Sequence, residues 1–263
     1  MDIRELKEKK KSLGYSNEKI AELSGVPLST VQKVFAGVTQ QPRYDTLAAL
    51  ERALDPTGVR EAVFQYGIDK KQGEYTIEDC EKLPEDILVE LIDGVMYIIT
   101  SPTLLHQELV GEFYIRLKEY IKKNGGQCRT MVSPVDVHID KEDNKTLVKP
   151  DVFVVCKRDK FTRRWIEGSP DLVIEVLSPS TKRKDMSIKL KKYIETGVRE
   201  YWLVDPDQRK IMVYDLENYD FPIMYTFEDK VPVGIFDGDC IIDMAEIVED
   251  IEFFFDLPDP SEE

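Results

Sequence analysis

The stretch PDLVIEVLSPSTKRKDMSIKLKKYIETGVREYWLVDP, residues 170–206, decides the fold. Leu172 to Leu177 is a short run of apolar residues with the length of a strand. A single charge, Glu175, interrupts it. Lys184 to Thr196 then reads as a helix. Asp185, Lys189 and Tyr193 share one of its faces at i, i+4, i+8. Tyr201 to Asp205 is a further apolar strand.

Working outward, more strands are predicted around Thr130–Val132, Val135–His138, Val148, Asp151–Cys156 and Ile211–Asp215. Thr103 to Asn124 is the longest helical pattern. It places Leu109, Phe113, Leu117 and Ile121 on one face, and Gly125-Gly126 ends it. VELIDGVMYII reads as a hairpin, because apolar runs flank Asp93-Gly94, a strong two-residue turn signal. Thr76 is a cap for the short segment before it. Helix, strands, helix and strand in this order describe an α/β or α+β core.

Charged residues on apolar strands need a partner. Asp151 follows Pro150 and opens the run VFVV, while Glu175 sits inside LVIEVL. Two carboxylates on neighbouring strands repel unless something positive lies between them. Mg²⁺ or Mn²⁺, hard cations that prefer oxygen ligands, answer this need. A strand-end role for Asp151 and a Lys or Arg partner for Glu175 answer it equally well. Asp171 starts the strand that carries Glu175, four residues earlier and on the same face. Lys182, Arg183 and Lys184 oppose the dipole of the helix that they begin. They either hold a phosphate backbone or simply face solvent. No Ser-His-Asp arrangement, phosphate-cradling glycine loop or dinucleotide fingerprint is present.

Composition divides the chain. The net charge is −15. Residues 1–54 hold 9 basic and 7 acidic residues, and the remainder holds 27 and 44. The two parts differ in sign and read as separate units. At 42% hydrophobic residues, a full core can form without disulfides or structural metals. Cys80, Cys128, Cys156 and Cys240 show no paired spacing, so they are expected as reduced thiols. The charged N-terminus is unlike a signal peptide, and no run approaches the roughly 20 apolar residues of a membrane span. A cytoplasmic protein is expected.

In the N-terminal part, residues 3–13 read as a charged helix with Ile3, Leu6 and Leu13 as apolar points, ended by Gly14. Ser16 or Asn17 caps the next helix, which carries Ile20, Ala21 and Leu23. After the turn Ser24-Gly25-Val26 comes a third helix with Val31, Val34 and Phe35 inward. A fourth, Arg43 to Leu54, carries Leu47, Leu50 and Leu54. Two short helices joined by a Gly-containing turn form a helix-turn-helix. IAELSGVPLSTVQKVFAGVTQQPRYDTLAALERAL resembles the Cro/repressor-type helix-turn-helix family. That resemblance implies that Leu28, Ser29, Thr30 and Lys33 face DNA bases. It also implies that Asn17, Thr39 and Arg43 hold phosphates. Residues 55–75, from Asp55-Pro56-Thr57-Gly58 through Val59, Val63 and Phe64 to Gly73, form a linker. The expected boundary lies near residue 70, giving units 1–70 and 71–263, the latter with an acidic C-terminal tail.

Residues 76–205 resemble the bacterial restriction endonuclease-like family of the PD-(D/E)-x-K nuclease superfamily. ELIDGVMY (90–97), His106, KPDVFVV (149–155), PDLVIEVLSPST (170–181) and KLKKYIETGVREYWLVDP (189–206) carry the resemblance. It implies an all-α helix-turn-helix bundle followed by an α/β restriction-endonuclease-like core with a mixed sheet. It further implies an endonuclease using Mg²⁺ or Mn²⁺, with Asp151, Glu175 and the Val176 carbonyl as ligands. The same resemblance implies that Glu90, otherwise a strand-edge acid, reaches the metal directly or through water, and that His106 lies at the site rim or packs beneath it. The sequence departs from the motif at Leu177, where the superfamily has lysine. Lys189, on the following helix, is the candidate to replace it. The partner is DNA, and a homodimer is expected. The alternative is a DNA-binding regulator whose nuclease-like body is inert.

Overall fold

The computed structural model describes residues 3–258 except Gly14, Gln40, Gln41, residues 55–58, Gln65, Asp69, Ser180 and residues 219–220. The helix stop at Gly14, the turn at 55–58 and the side chains of Leu13 and Leu23 lie outside the described residues. The chain forms two compact units, Met1–Lys71 and Gln72–Glu263.

The first unit is helical: α1 (Ile3–Leu13), α2 (Asn17–Ser24), α3 (Leu28–Phe35), α4 (Tyr44–Ala53) and α5 (Val59–Phe64). Ser16 is the cap of α2, its Oγ accepting a hydrogen bond from the Lys19 main-chain N–H at 3.1 Å. Gly25 ends α2 at a φ of 65°, a conformation that glycine adopts without a Cβ penalty. Leu6, Ile20, Val31, Val34, Leu50 and Leu54 are fully buried together. The apolar spacing of these short helices thus closes one small core.

The second unit opens with α6 (Ile77–Cys80), whose N-terminus is closed by a reciprocal Thr76–Asp79 capping box. β1 (Val89–Ile92) and β2 (Val95–Ile98) form the expected hairpin, with Asp93 and Gly94 at φ 51° and 76°. Two positive φ values in a two-residue loop match the right-handed twist of the strands. Then follow α7 (Leu104–Lys123), β3 (Arg129–Val132), β4 (Val137–His138), β5 (Val152–Val155), β6 (Ile166–Glu167) and β7 (Leu172–Val176). A wide π-type turn over Lys184–Lys189 runs into α8 (Leu190–Thr196). The remaining elements are β8 (Glu200–Asp205), β9 (Lys210–Asp215), β10 (Ile223–Thr226), β11 (Lys230–Val233), β12 (Cys240–Asp243) and α9 (Met244–Phe255).

The central sheet has the order β10-β9-β8-β7-β5-β3. β7 and β8 are parallel and the other pairs antiparallel, so the sheet is mixed. Alternation along the strands divides two cores. Val152, Val154, Leu172, Ile174 and Val176 face α7, where Leu109, Phe113, Leu117 and Ile121 form the predicted stripe. Phe153, Val155, Val173, Leu177 and Leu203 face the other way, with Tyr193 of α8, Tyr201 and Ile92 of the hairpin.

Four expectations change. The segment 135–138 is a strand only at Val137–His138, and it pairs with β6 outside the central sheet. Val148 makes a single bridge to Val137. The acidic C-terminal end is folded through α9, which places Met244, Ile247 and Ile251 in the α7-side core beside Phe227 and Val231. Its apolar stripe was hidden because Glu246, Glu249, Asp250 and Glu252 occupy the outer face and dominate the composition. Glu200 anchors this region to the sheet. Its carboxylate accepts hydrogen bonds from the main chain of Gly234 and Ile235 and from Trp202 Nε1. Last, Cys128 and Cys156 form a disulfide rather than remaining reduced. The register Arg129↔Val155 sets these cysteines opposite each other one step further along. Pairing across strands is invisible to spacing along the chain.

Gly94 is sterically required, since a Cβ there would lie 2.4 Å from the Gly73 carbonyl oxygen. Gly94→Ala is expected to destabilise by more than about 1–2 kcal/mol, the left-handed penalty alone. Gly111 in α7 meets nothing within 4 Å. Gly111→Ala is expected to stabilise by up to about 1 kcal/mol. Urea unfolding of both variants checks the contrast.

Candidate active site

Strand register builds the site. β5 and β7 pair with Val152 opposite Ile174, so the next step sets Asp151 opposite Glu175. Residues opposed in an antiparallel pair project to the same face. Glu175 is 3% exposed, and its neighbours on that face are Val173 and Leu177. Glu90, at 2% exposed, comes from the wholly buried strand β1.

The turn before α8 supplies the positive charge. Lys189 Nζ lies 2.8 Å from Glu175 Oε1, 2.8 Å from Glu90 Oε1 and 3.5 Å from Asp185 Oδ1. Tyr193 Oη donates to Glu175 Oε1 at 3.0 Å. The predicted face of Asp185, Lys189 and Tyr193 therefore turns toward the sheet. Lys184 pairs with Glu90 Oε2, and the Lys149 main-chain N–H donates to Glu90 Oε1 at 3.0 Å. Tyr201 Oη donates to the Asp185 carbonyl at 3.1 Å.

Burial and charge oppose one another here. Burial would raise the Glu90 carboxyl, but the Lys189 and Lys184 ammoniums outweigh it and hold it at about 2. Glu175 moves well above the usual carboxylate range. Burial is the largest cause, and Asp151, Asp185 and Glu90 push the same way against Lys189. Asp185 is raised mainly by burial. Burial opposes the Lys189 ammonium, yet Glu175, Glu90 and Asp185 raise it well above its ordinary value. Carboxylates outnumber ammoniums in this cluster, and Asp185 Oδ1 is buried without a hydrogen-bond partner among the described residues.

Asp151 sits at the strand end, within reach of α7. Its Oδ2 accepts from the Val176 main-chain N–H at 2.8 Å and lies 3.2 Å from His106 Nε2. Burial works against a charged His106, but the Asp151 carboxylate and the Val176 backbone outweigh it and raise the imidazole. Asp151 Oδ1 and Glu175 Oε2 take part in none of these bonds. Together with the surplus of negative charge, they are hard oxygen donors suited to a divalent cation. The fit is limited to two side chains. Among the described residues, no group of three or more His, Cys, Asp or Glu side chains is arranged to hold a metal.

Residues 77–238 match the Uma2 family, described as "Putative restriction endonuclease". The chain belongs to this family. Residues 6–61 match a helix-turn-helix family. Over 127 residues the chain is 30% identical to "Uncharacterized protein slr1290" of Synechocystis sp. (strain ATCC 27184 / PCC 6803 / Kazusa). That match covers 48% of this chain and 64% of the relative, so it spans less than two thirds of the relative's length. A crystal structure of "a putative nuclease belonging to DUF820" from Anabaena variabilis ATCC 29413 superposes with a TM-score of 0.55 at 20% identity. It covers 66% of this chain and 97% of that one, and supports the restriction-endonuclease-like fold.

Within this Uma2 fold, other predicted residues are placed elsewhere. Lys182 pairs with Asp205 at 2.7 Å, so both Lys182 and Lys184 are engaged by carboxylates. Asp171 accepts from the Cys156 main-chain N–H at 2.8 Å, a contact that ties β5 to β7. In the helix-turn-helix unit, Leu28, Ser29 and Lys33 are exposed on α3, and Thr30 is half-buried. Arg43 is exposed, Thr39 is half-buried, and Asn17 accepts a hydrogen bond from Lys10. Sequence reasoning missed Lys149 and Tyr201 as supports of the site. Lys149 stands two residues before Asp151, the one local signal available.

Lys189→Met would leave Glu90, Glu175 and Asp185 buried together. Removing one partner of a buried ionic cluster costs about 3–5 kcal/mol, and that loss is expected at neutral pH. A carboxyl raised by folding binds a proton that the unfolded chain lacks, so its folded state gains stability as pH falls. The deficit should therefore narrow as pH is lowered toward the usual carboxylate range, read by urea unfolding. Glu90 acts in the opposite sense. Its pairs stabilise fully above the usual 4.5 and are lost as pH falls through about 2.

Proposed function

We propose that this chain is a helix-turn-helix DNA-binding protein whose second unit is a Mg²⁺- or Mn²⁺-dependent endonuclease acting on DNA phosphodiester bonds. The observation that carries the reading is Asp151 register-opposed to Glu175, with Lys189 Nζ 2.8 Å from Glu175 Oε1. An acid pair and a lysine on one face reproduce the chemical parts of the superfamily's motif although Leu177 stands at the lysine position.

Asp151, Glu175 and the Val176 carbonyl would hold the metal. When bound, it would polarise the scissile phosphate and lower the pKa of a water. Lys189 carries a fixed positive charge where negative charge builds on the phosphate. Tyr193 fixes the orientation of Glu175, and His106 that of Asp151. Glu90 holds Lys189 in place. In the other unit, Leu28, Ser29, Thr30 and Lys33 would meet bases, with Asn17, Thr39 and Arg43 on phosphates. A homodimer would match two half-sites one helical turn apart. Among the described residues, no helix is long and apolar enough to cross a membrane. We place the protein in the cytoplasm, with the DNA it binds.

A second reading, an inert regulator, is favoured by two observations. Lys189 is committed to three carboxylates, and Leu177 fills the motif position with a buried apolar side chain.

Plasmid nicking with Mg²⁺ and Mn²⁺ separates the two. Lys189→Ala is expected to cut cleavage by about 10²–10³-fold with DNA affinity nearly intact. Asp151→Asn is expected to abolish it. Absence of cleavage by the wild type across many substrates would support the regulator, and cleavage surviving Asp151→Asn would refute this site. For the helix-turn-helix, Lys33→Ala should weaken preferred sites more than random DNA, and Arg43→Ala should weaken both alike. Fluorescence anisotropy measures this difference.

A further inference from the structure

Residues 157–165, KRDKFTRRW, carry Lys157, Arg158, Lys160, Arg163 and Arg164 against Asp159 alone. A net of +4 in nine residues stands out in a region where acids outnumber bases 44 to 27. The loop is built rather than loose. Phe161 bridges to Ile166, and both join the core on the Glu175 side of the sheet. Thr162 Oγ1 accepts from the main-chain N–H groups of Arg164 and Trp165 and donates to the Trp165 carbonyl. Trp165 stacks on His138 with ring centroids 4.9 Å apart. This turn displays Arg163 and Arg164 at its exposed tip, near exposed Lys157 and Arg158.

Elsewhere in the unit, basic side chains are largely engaged: Lys149 by Asp136, Lys182 by Asp205, Lys192 by Asp93 and Arg116 by Glu112. Among the described residues, Lys157, Arg158, Arg163 and Arg164 form no ion pair and no side-chain hydrogen bond. Gathering like charges on a fixed loop is unfavourable unless an anion offsets it. Planar guanidinium groups match phosphate oxygens two at a time. Position adds direction. Asp151 stands one residue before β5 and Lys157 two residues beyond its end, so six residues of chain, at most about 20 Å at roughly 3.3 Å each, separate them. That distance equals about six base pairs of duplex at about 3.4 Å each.

We infer that the loop 157–165 is a second DNA-contacting surface, which holds backbone phosphates of a duplex about half a turn from the Asp151–Glu175 site. The inference rests on the reading of DNA as this unit's substrate, but not on catalysis. The loop contacts backbone and not bases, so it adds affinity without sequence preference.

The test uses the full-length chain, EDTA and a random duplex of about 30 base pairs, with anisotropy titrations over a range of salt. Each phosphate contact contributes about 0.9 to the slope of log affinity against log salt. Arg163→Ala/Arg164→Ala is expected to reduce that slope by about 1.8. Lys122→Ala/Lys123→Ala, removing two exposed cations at the end of α7, is expected to leave it unchanged. Arg163→Glu/Arg164→Glu should weaken binding further, and circular dichroism confirms that each variant is folded. A wild-type slope in both Arg163/Arg164 variants overturns the inference, as does an equal fall in the Lys122/Lys123 variant. Without metal, an inert nuclease centre leaves the measurement readable. Lys33→Ala reports the helix-turn-helix contribution separately.

Discussion

One buried ammonium organises the second unit. Lys189 is shared by Glu175 from the sheet, Glu90 from the hairpin and Asp185 from its own turn. Taking each of these ions out of water costs several kcal/mol, and only close mutual contact repays it. The hairpin, the central sheet and the segment leading into α8 must therefore dock together before any of the four charges is tolerable. Tyr193 and Tyr201 complete the arrangement by satisfying oxygen atoms that no water would reach. The apolar residues around them, Val173, Leu177 and Leu203, keep the site at low dielectric and so strengthen each contact.

On the proposed nuclease reading, this arrangement would account for leucine at position 177. A lysine there would project from β7 onto the face where Glu175 already lies. The same space is reached by Lys189, because its face of the helix turns down onto the sheet. Leu177 is then free to become core, and the charge arrives from another element. Asp151 is treated differently. It stands at a strand end, held by His106 and by the Val176 main chain, and remains partly exposed where Glu175 and Glu90 do not. A buried, fixed lysine beside a more open carboxylate divides the site into a structural depth and an accessible rim.

Much of this was legible. The LVIEVL strand with one acid, the acid after Pro150 and the face of Asp185, Lys189 and Tyr193 were all visible as patterns of period two or four. The hairpin at Asp93-Gly94 and the stripe of α7 were equally clear, since both are local. The C-terminal region was not. Its apolar residues are carried by short strands and by α9, whose acidic outer face dominates the composition. The free-thiol reading failed because Cys128 and Cys156, 28 residues apart, meet only through the antiparallel register of β3 and β5. Lys149 escaped notice because its role depends on Glu90, nearly sixty residues earlier.

Sequence by itself determined the two-part organisation, the helix-turn-helix spacing, the nuclease-like order of strands and helices, and the identity of the acids. The two-part organisation and the helix spacing follow from charge, periodicity and turn chemistry, which act over a few residues, whereas the nuclease-like order and the choice of acids are what the family resemblance implies. Only the tertiary structure decided which lysine stands beside Glu175, which acids share it, and that Asp151 is held by His106. Those outcomes depend on register and on the rotation of one helix over the sheet. A shift of a single residue in register would send Glu175 to the opposite face, and no local pattern records which register is adopted.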